Sequence, residues 1–453
     1  MKTTRRGFLA GASAAALVAG CTKDAEDSAH STPQGSPRRE PEPARWQPEG
    51  TLDLALFPYA VVSTDVTDSR VILAVRSEGV ETLELQVVEA VDGAWVPARE
   101  EGELGAADGF VQLEVSGLKA DTAYNFVFKG PEGRRSPVGR FRTALAAGQD
   151  RYLVFGATSC LNTPNAPWPS MSHVAALDTD AFFQLGDTVY ADGCETLDEY
   201  RVYWAQAMAT QGLNDVLLST SQVATWDDHE VENNWALGEN VTQEKLDAAA
   251  AAFREHLPWR DGGGAFGLWR KLSWGAVADI FVLECRSERA PEEGLYLSVE
   301  QMDWLKSGLS ASSARFKLIL NSVPITDFTA MLGAAEADDR WQSFTEQRAE
   351  ILGHIEDQGL QGVLWISGDM HFGSVLWLSP EGELGADQRE VMVGPSGSTR
   401  MALVDVYPEG GQYTELIGLW NSVTFGLDAT LGEVLVCFYG DAGEILAEQT
   451  LAL

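Results

Sequence analysis

Five times between residues 151 and 371 a short apolar run empties into a cluster of polar, chemistry-bearing residues, and this recurrence constrains the fold more than any other feature. Tyr152-Leu-Val-Phe leads to Gly156-Ala-Thr-Ser-Cys160, and Ala-Phe-Phe-Gln-Leu185 leads to Gly186-Asp-Thr-Val-Tyr190. Val223-Ala-Thr-Trp leads to Asp227-Asp-His-Glu230, with Asn233-Asn-Trp235 close behind. Asp279-Ile-Phe-Val-Leu leads to Glu284-Cys-Arg-Ser-Glu-Arg289, and Gly362-Val-Leu-Trp-Ile leads to Ser367-Gly-Asp-Met-His371. Runs this short and continuous read as buried strands. With helix-like segments between them they predict an α/β domain. Such sheets place ligands beyond the carboxyl ends of their strands, so five clusters in series predict one constructed site.

The rest of the chain divides by composition. Residues 1–21 carry a twin arginine, Arg5 and Arg6, ahead of a small-residue apolar run ending Leu17-Val-Ala-Gly-Cys21, too short to span a bilayer. This resembles a twin-arginine export signal fused to a lipobox. It implies export of a folded protein by the twin-arginine machinery and a lipid anchor on Cys21, hence a periplasmic or cell-surface lipoprotein. Residues 22–45, rich in Ser, Pro, Glu, Asp and Arg, read as a flexible tether.

Residues 46–146 alternate with period two, as in Arg70-Val-Ile-Leu-Ala-Val-Arg and Val111-Gln-Leu-Glu-Val, which predicts an antiparallel β-sandwich. The stretch from Val115 to Phe128 resembles the tyrosine-corner region of fibronectin type III domains, with Tyr124 as the corner residue. Its expected role is to pack beside or shield the larger domain, with glycan or cell-wall binding as the alternative. Residues 147–453 are the expected catalytic domain. Ser298-Val-Glu-Gln301 predicts a capping box opening a helix, Phe316-Lys-Leu-Ile-Leu-Asn321 a further strand, and residues 421–453 closing strands at a sheet edge or on a second sheet.

With 453 residues, 45% of them hydrophobic, and 14 Trp, the chain can fill several cores and is not a disordered protein. A formal net charge of −35 argues against nucleic-acid binding, because phosphate backbones would be repelled. Four of its 5 cysteines lie beyond the lipobox, too few for a disulfide framework. A single Cys160–Cys194 disulfide stays open as an alternative.

Asp187 and Tyr190, three apart past a strand end, are oxygen donors suited to hard, highly charged ions. Asp227, Asp228, His229 and Glu230 crowd three carboxylates around one of only 6 histidines, a repulsion that a cation would relieve. Asp369 and His371, two apart, share a face if the strand is still extended there.

In this order the motifs Ser159-Cys160, Gly-Asp-x-x-Tyr at 186–190, Trp-Asp-Asp-His-Glu at 226–230 and Ser-Gly-Asp-x-His at 367–371 resemble those of the PhoD-like alkaline phosphatases. Gly-Asp-x-x-Tyr is also similar to purple acid phosphatases, in which the Tyr binds ferric iron. The resemblance implies a four-layer α/β/β/α metallophosphatase domain behind the β-sandwich, and a phosphoesterase using iron together with calcium. Carried across by motif, Cys160, Asp187, Tyr190 and His371 would bind iron, and Asp228, Asp369 and either Asp227 or Asn234 would serve calcium. Where the generic metallophosphoesterase pattern has Asn and His, this chain has Asp228 and Asp369, which removes nitrogen ligands and argues against a pair of zinc ions. His229 would protonate the leaving oxygen. Glu284-Cys-Arg-Ser-Glu-Arg289 resembles a family Asp-x-Arg-x-x-Arg segment, so Arg286 and Arg289 would hold phosphate, with surface ion pairing the alternative.

The expected function is hydrolysis of phosphate monoesters by metal-activated water, on a small-molecule, cell-wall or lipid phosphate ester. Phosphodiesterase or phospholipase D-like activity at the same site is the alternative. From a different class, a non-catalytic calcium-dependent surface-binding lipoprotein would keep the fold without turnover.

Overall fold

The apolar runs become strands in two sheets. Leu153–Thr158, Ala181–Leu185 and Gln222–Thr225 lie parallel in a nine-stranded sheet. Ala278–Val282, Phe316–Asn321 and Val363–Ser367 lie parallel in a seven-stranded sheet. All residues of the last five of these strands are buried, as expected of strands covered on both faces. The computed structural model describes residues 37–39, 43–332, 339–407 and 410–453. The segments expected to be the export signal, with Cys21, and most of the tether lie outside the described residues. Among those described, no helix is long and apolar enough to cross a membrane.

The two sheets face each other across one apolar core, to which Phe155, Phe183 and Val423 contribute from the first and Ile280, Leu318 and Ile366 from the second. Helices Leu197–Met208, Gln211–Ser219 and Gln243–His256 cover the outside of the nine-stranded sheet through a second core containing Trp204, Leu213 and Phe253. Val299–Ala311 and Thr345–Asp357 cover the seven-stranded sheet through a third containing Leu305 and Ile351. The result is the four-layered α/β/β/α arrangement. Ser298 does cap its helix, its Oγ accepting from the Gln301 amide at 3.2 Å. The box is not completed, because the Gln301 side chain instead pairs with the Glu284 backbone at 2.9 and 3.0 Å.

The closing strands Ser422–Asp428, Glu433–Tyr439 and Ile445–Ala452 extend the nine-stranded sheet antiparallel from Leu153–Thr158 to one edge. Its other edge is made by residues from the N-terminal region. Val62–Thr64 pairs parallel with Gln222–Thr225, followed by Arg70–Arg76 and Phe110–Ser116. A separate six-stranded sheet around Thr82–Val91 and Ala123–Lys129 packs on these, forming the β-sandwich. The sandwich therefore shares both a sheet and a core with the α/β part. Buried Asp65 rivets the seam, accepting from Arg270 Nε and Nη2 at 2.6 and 2.7 Å and from the Arg260 amide at 2.6 Å. Tyr124 forms the corner, its hydroxyl oxygen accepting from the Lys119 amide at 2.8 Å.

At the N-terminal edge of the parallel strands, residues 37–39 are stitched to the body. The Tyr152 amide donates to the Pro37 carbonyl at 2.7 Å, and the Arg38 guanidinium lies 3.3 Å over the Tyr152 ring. Arg39 reaches Asp178 and Asp180 at 3.1 and 3.3 Å. Asp180 also takes both amino groups of buried Arg151 at 3.0 and 2.8 Å.

Candidate metal centre

The polar clusters meet at the opposite, C-terminal edge of the strands. The turns after the first two are bonded together, Cys160 donating its amide to Gly186 O at 3.2 Å and Leu161 to Asp187 O at 2.7 Å. Gly186 has φ +86°, and a Cβ there would fall 2.4 Å from Asp227 Cβ, so only glycine lets the second and third turns touch. Buried Glu230 ties these turns down by accepting the amides of Asp187, Thr188 and Asp227 at 3.0, 2.6 and 2.9 Å.

Cys160, Asp187, Asp369 and His371 all have φ between 54° and 65°, in the left-handed region that costs a non-glycine residue about 1–2 kcal/mol. Four residues singled out as ligands thus carry local strain that the surrounding packing sustains. It also corrects the expectation of an extended chain at 369–371: the strand ends at Ser367, and left-handed turns aim the two side chains.

Two groups of donors converge. Ligand atoms of Cys160, Asp187 and His371 lie within 4.8 Å of one another, as do those of Asp187, Asp228 and His229. Asp187 belongs to both. The Tyr190 hydroxyl sits against the first group, 3.0 Å from Asp187 Oδ2, 3.1 Å from His371 Nε2 and 2.8 Å from Ser398 Oγ. Asp228 is held by two amides, from His229 at 2.9 Å and Asn234 at 2.7 Å. Asn234 itself is exposed and contributes its backbone. Asp227 and Asp369 stand outside the two groups. The thiols of Cys160 and Cys194 are free and buried, so the disulfide alternative is not formed.

The protein alone opposes the anionic forms of these donors. Burial, then Asp187, pushes both the Cys160 thiol and the Tyr190 phenol well above their ordinary ranges. Burial and the charge of Asp228 raise Asp187, and burial and Asp227 raise Asp369. Burial and neighbouring His229 hold His371 down to about 4. For Asp228 burial works against the charge, but Arg286 and His229 bring it down to about 2. A multivalent cation among these lone pairs would reverse the balance and deprotonate the thiol. The buried Asp227 Oδ2 also has no partner within the protein. The residues present fit such ions.

Arg286 and Arg289 are not surface ion pairs. Arg286 is buried, with Nε on Asp227 at 2.6 Å and Nη1 on Asp339 at 2.5 Å. Its Nη2 lies 3.9 Å from Asp228 and has no hydrogen-bond partner. Arg289 commits its three nitrogens to Asp339, Tyr296 and the Cys285 carbonyl, at 2.7, 2.6 and 2.5 Å.

Three participants were not singled out in the sequence, Ser398 on Tyr190, Asp339 between the two arginines, and Asp192, while Glu230 was noted only as one of a cluster of carboxylates and not as a turn anchor. Both Asp192 oxygens lie 2.8 Å from His229 Nδ1. Of those three, Asp192 left a local signal, as the carboxylate two residues after Tyr190.

A four-layer α/β/β/α domain with donors gathered at the strand ends has the metallophosphatase fold. A family model described as PhoD-like phosphatase matches residues 155–406, and the chain belongs to that family. Over 310 residues it is 28% identical to alkaline phosphatase D of Bacillus subtilis (strain 168), a match covering 58% of this chain and 53% of that protein. The matched segment thus spans about half the length of this curated relative. A solved structure of PhoD superposes with a TM-score of 0.76 at 21% identity, covering 87% of this chain and 89% of that one. A purple acid phosphatase from yellow lupin (Lupinus luteus) seeds superposes at 0.64 and 12% identity, covering 88% of this chain and 75% of that one. At these identities the two structures attest the fold.

Proposed function

We propose that this protein is an exported, metal-dependent phosphoesterase that hydrolyses phosphate monoesters, held at the cell surface or in the periplasm by a lipid on Cys21. The observation that carries the reading is Asp187, shared between one donor group with a thiol and an imidazole and a second in which the Asp228 carboxylate is the further donor. Cys160, Asp187, Tyr190 and His371 would hold ferric iron, since thiolate and phenolate are the anionic donors that stabilise it. Asp228 and Asp369, with Asp227 beside them, offer oxygens suited to calcium. When bound, the ions supply Lewis acidity toward phosphoryl oxygens and lower the pKa of a water.

The chain's own residues do the rest. Burial opposes a charge on His229, but its bond to Asp192 and the charge of Asp228 outweigh this and raise it to about 9, so it carries the proton that a leaving oxygen needs. Arg286, fully buried, fixes Asp227 through Nε and keeps its charge 3.9 Å from Asp228. Glu230 and the strained turns hold the donors in place before substrate arrives.

The test is elemental analysis and a visible spectrum of the exported protein, with hydrolysis of nitrophenyl monoester and diester substrates measured with and without calcium. Iron, a tyrosinate charge-transfer band and calcium-dependent turnover are expected. Faster diester turnover would move the protein to the phosphodiesterase reading. Folded, colourless, inactive protein would leave the surface-binding lipoprotein in its place.

A further inference from the structure

The outer face of the six-stranded sheet carries a residue that its strand does not explain. Along Ala123–Lys129 the alternation sends Tyr124, Phe126 and Phe128 into the core between the sheets. Asn125 points the other way, in a strand paired on both sides, where Asn is disfavoured. It is 4% exposed, and among the described residues nothing is hydrogen-bonded to its side-chain amide. The amide is not sealed in, because the little surface it keeps opens into a cleft of about 570 Å³. A buried amide without a partner costs free energy unless something polar meets it.

The walls of the cleft come from both parts of the molecule. Arg140, beside Asn125 in the ladder, and Trp95, from the edge strand Ala94–Gly105, belong to the sandwich. Asp215 and Leu218 come from the helix Gln211–Ser219, and Asp178 from the turn ahead of Ala181–Leu185. The cleft therefore lies where the parallel strands begin, at the end opposite the metal donors. Part of its polarity is already spent. Arg140 Nη2 pairs with Asp178 Oδ1 at 2.7 Å, and the indole N–H of Trp95 donates to the Ala44 carbonyl at 2.7 Å. What remains for a ligand is the ring surface of Trp95, the Asn125 amide, the guanidinium of Arg45 at the rim and one oxygen of Asp215, whose other oxygen accepts from Ser172 Oγ at 2.7 Å.

We propose that this cleft binds a neutral saccharide. Its volume is that of a small-ligand site. One guanidinium and one carboxylate offset each other, so neither an anion nor a cation is favoured, and an alkyl chain would leave the Asn125 amide unsatisfied. A pyranose meets every requirement. Its C–H face covers indole carbon while its hydroxyls, each both donor and acceptor, meet the amide, the carboxylate and the guanidinium. The proposal does not depend on the phosphoesterase reading. It gives the β-sandwich the glycan-binding role that was its alternative to shielding, and it holds the glycan away from the metal donors.

The experiment titrates the full chain with maltose, cellobiose and chitobiose, and with sorbitol, which has hydroxyls but no ring, followed by saturation-transfer NMR and tryptophan fluorescence. At least one disaccharide is expected to bind with a Kd on the order of 1 mM, and sorbitol not at all. Trp95→Ala and Asn125→Ala are each expected to weaken binding about tenfold. Trp95→Phe keeps a ring without the N–H and is expected to recover most of the loss. None of these variants touches the metal donors, so metal content and kcat/KM on nitrophenyl phosphate should match the parent. Asn125→Ala removes no hydrogen bond within the protein, so it should keep the parent's Tm and decides the matter even if Trp95→Ala fails to fold. Binding of none of the disaccharides, sorbitol bound as tightly as they are, or sugar binding untouched by Asn125→Ala would overturn the proposal. So would displacement of the sugar by inorganic phosphate, which would make the cleft an anion site.

Discussion

Asp187 is where the two donor groups overlap, and a residue with two partners cannot be replaced for one of them only. Asp187→Asn keeps the shape but loses the charge. It should lower the content of both metals together and depress activity beyond the 10–100-fold that loss of an outer partner costs, by roughly a further order of magnitude. Elemental analysis beside kcat/KM checks this. Glu230 acts differently, because it touches backbone alone. Glu230→Ala leaves three buried amides without an acceptor, at about 1–3 kcal/mol each, so a destabilisation of at least about 3 kcal/mol is expected in urea titration. Asp187, Tyr190, Asp228 and His371 were legible because each follows an apolar run that fixes its place. Ser398 and Asp339 were not. In a chain with 67 Asp and Glu a single carboxylate offers no contrast, and Ser398 reaches Tyr190 only once the fold has closed a sequence separation of 208.

The elements were readable one by one, but their partners were less so. Alternation identified Arg70–Arg76 and Phe110–Ser116 as strands, yet nothing local distinguishes a strand that closes a small sandwich from one that extends a neighbouring sheet. That choice is made at the junction of Val62–Thr64 with Gln222–Thr225, across some 160 residues, and is secured by Asp65. Removing one member of a buried ion pair strands the other, at about 3–5 kcal/mol. Asp65→Ala is therefore expected to cost that much and to expose the seam to protease first, which limited proteolysis with mass spectrometry would read. The same burial explains Arg286. Its sequence neighbours suggested an open grip, whereas the carboxylates that enclose it come from turns 59 and 53 residues away.

Across the molecule, one histidine makes a separable contribution to stability in acid. His256 packs between Trp204, Tyr59 and Phe110 at the junction of helix and sandwich, with its Nδ1 2.7 Å from Ala252 O. Burial, with the charges of Arg76 and Arg201 behind it, lowers its pKa to about 3. The folded form therefore binds fewer protons than the unfolded chain, whose His titrates near 6.5. Its contribution is intact above about pH 6.5 and is lost as pH falls toward 3, by about 1.4 kcal/mol per unit. His256→Phe should flatten that part of the stability curve relative to the parent, as measured by urea midpoints at each pH. Charge acts more diffusely: with a net −35, added salt should raise Tm by screening self-repulsion.

The stitching of residues 37–39 gives the molecule a direction. Arg39 and Arg151 clamp Asp180 at the edge of the sheet where its parallel strands begin, while the metal donors gather where they end, a strand's length or about 17–20 Å away. Any pull applied to the chain ahead of Pro37 would enter where the parallel strands begin, at the end of the sheet opposite the donors.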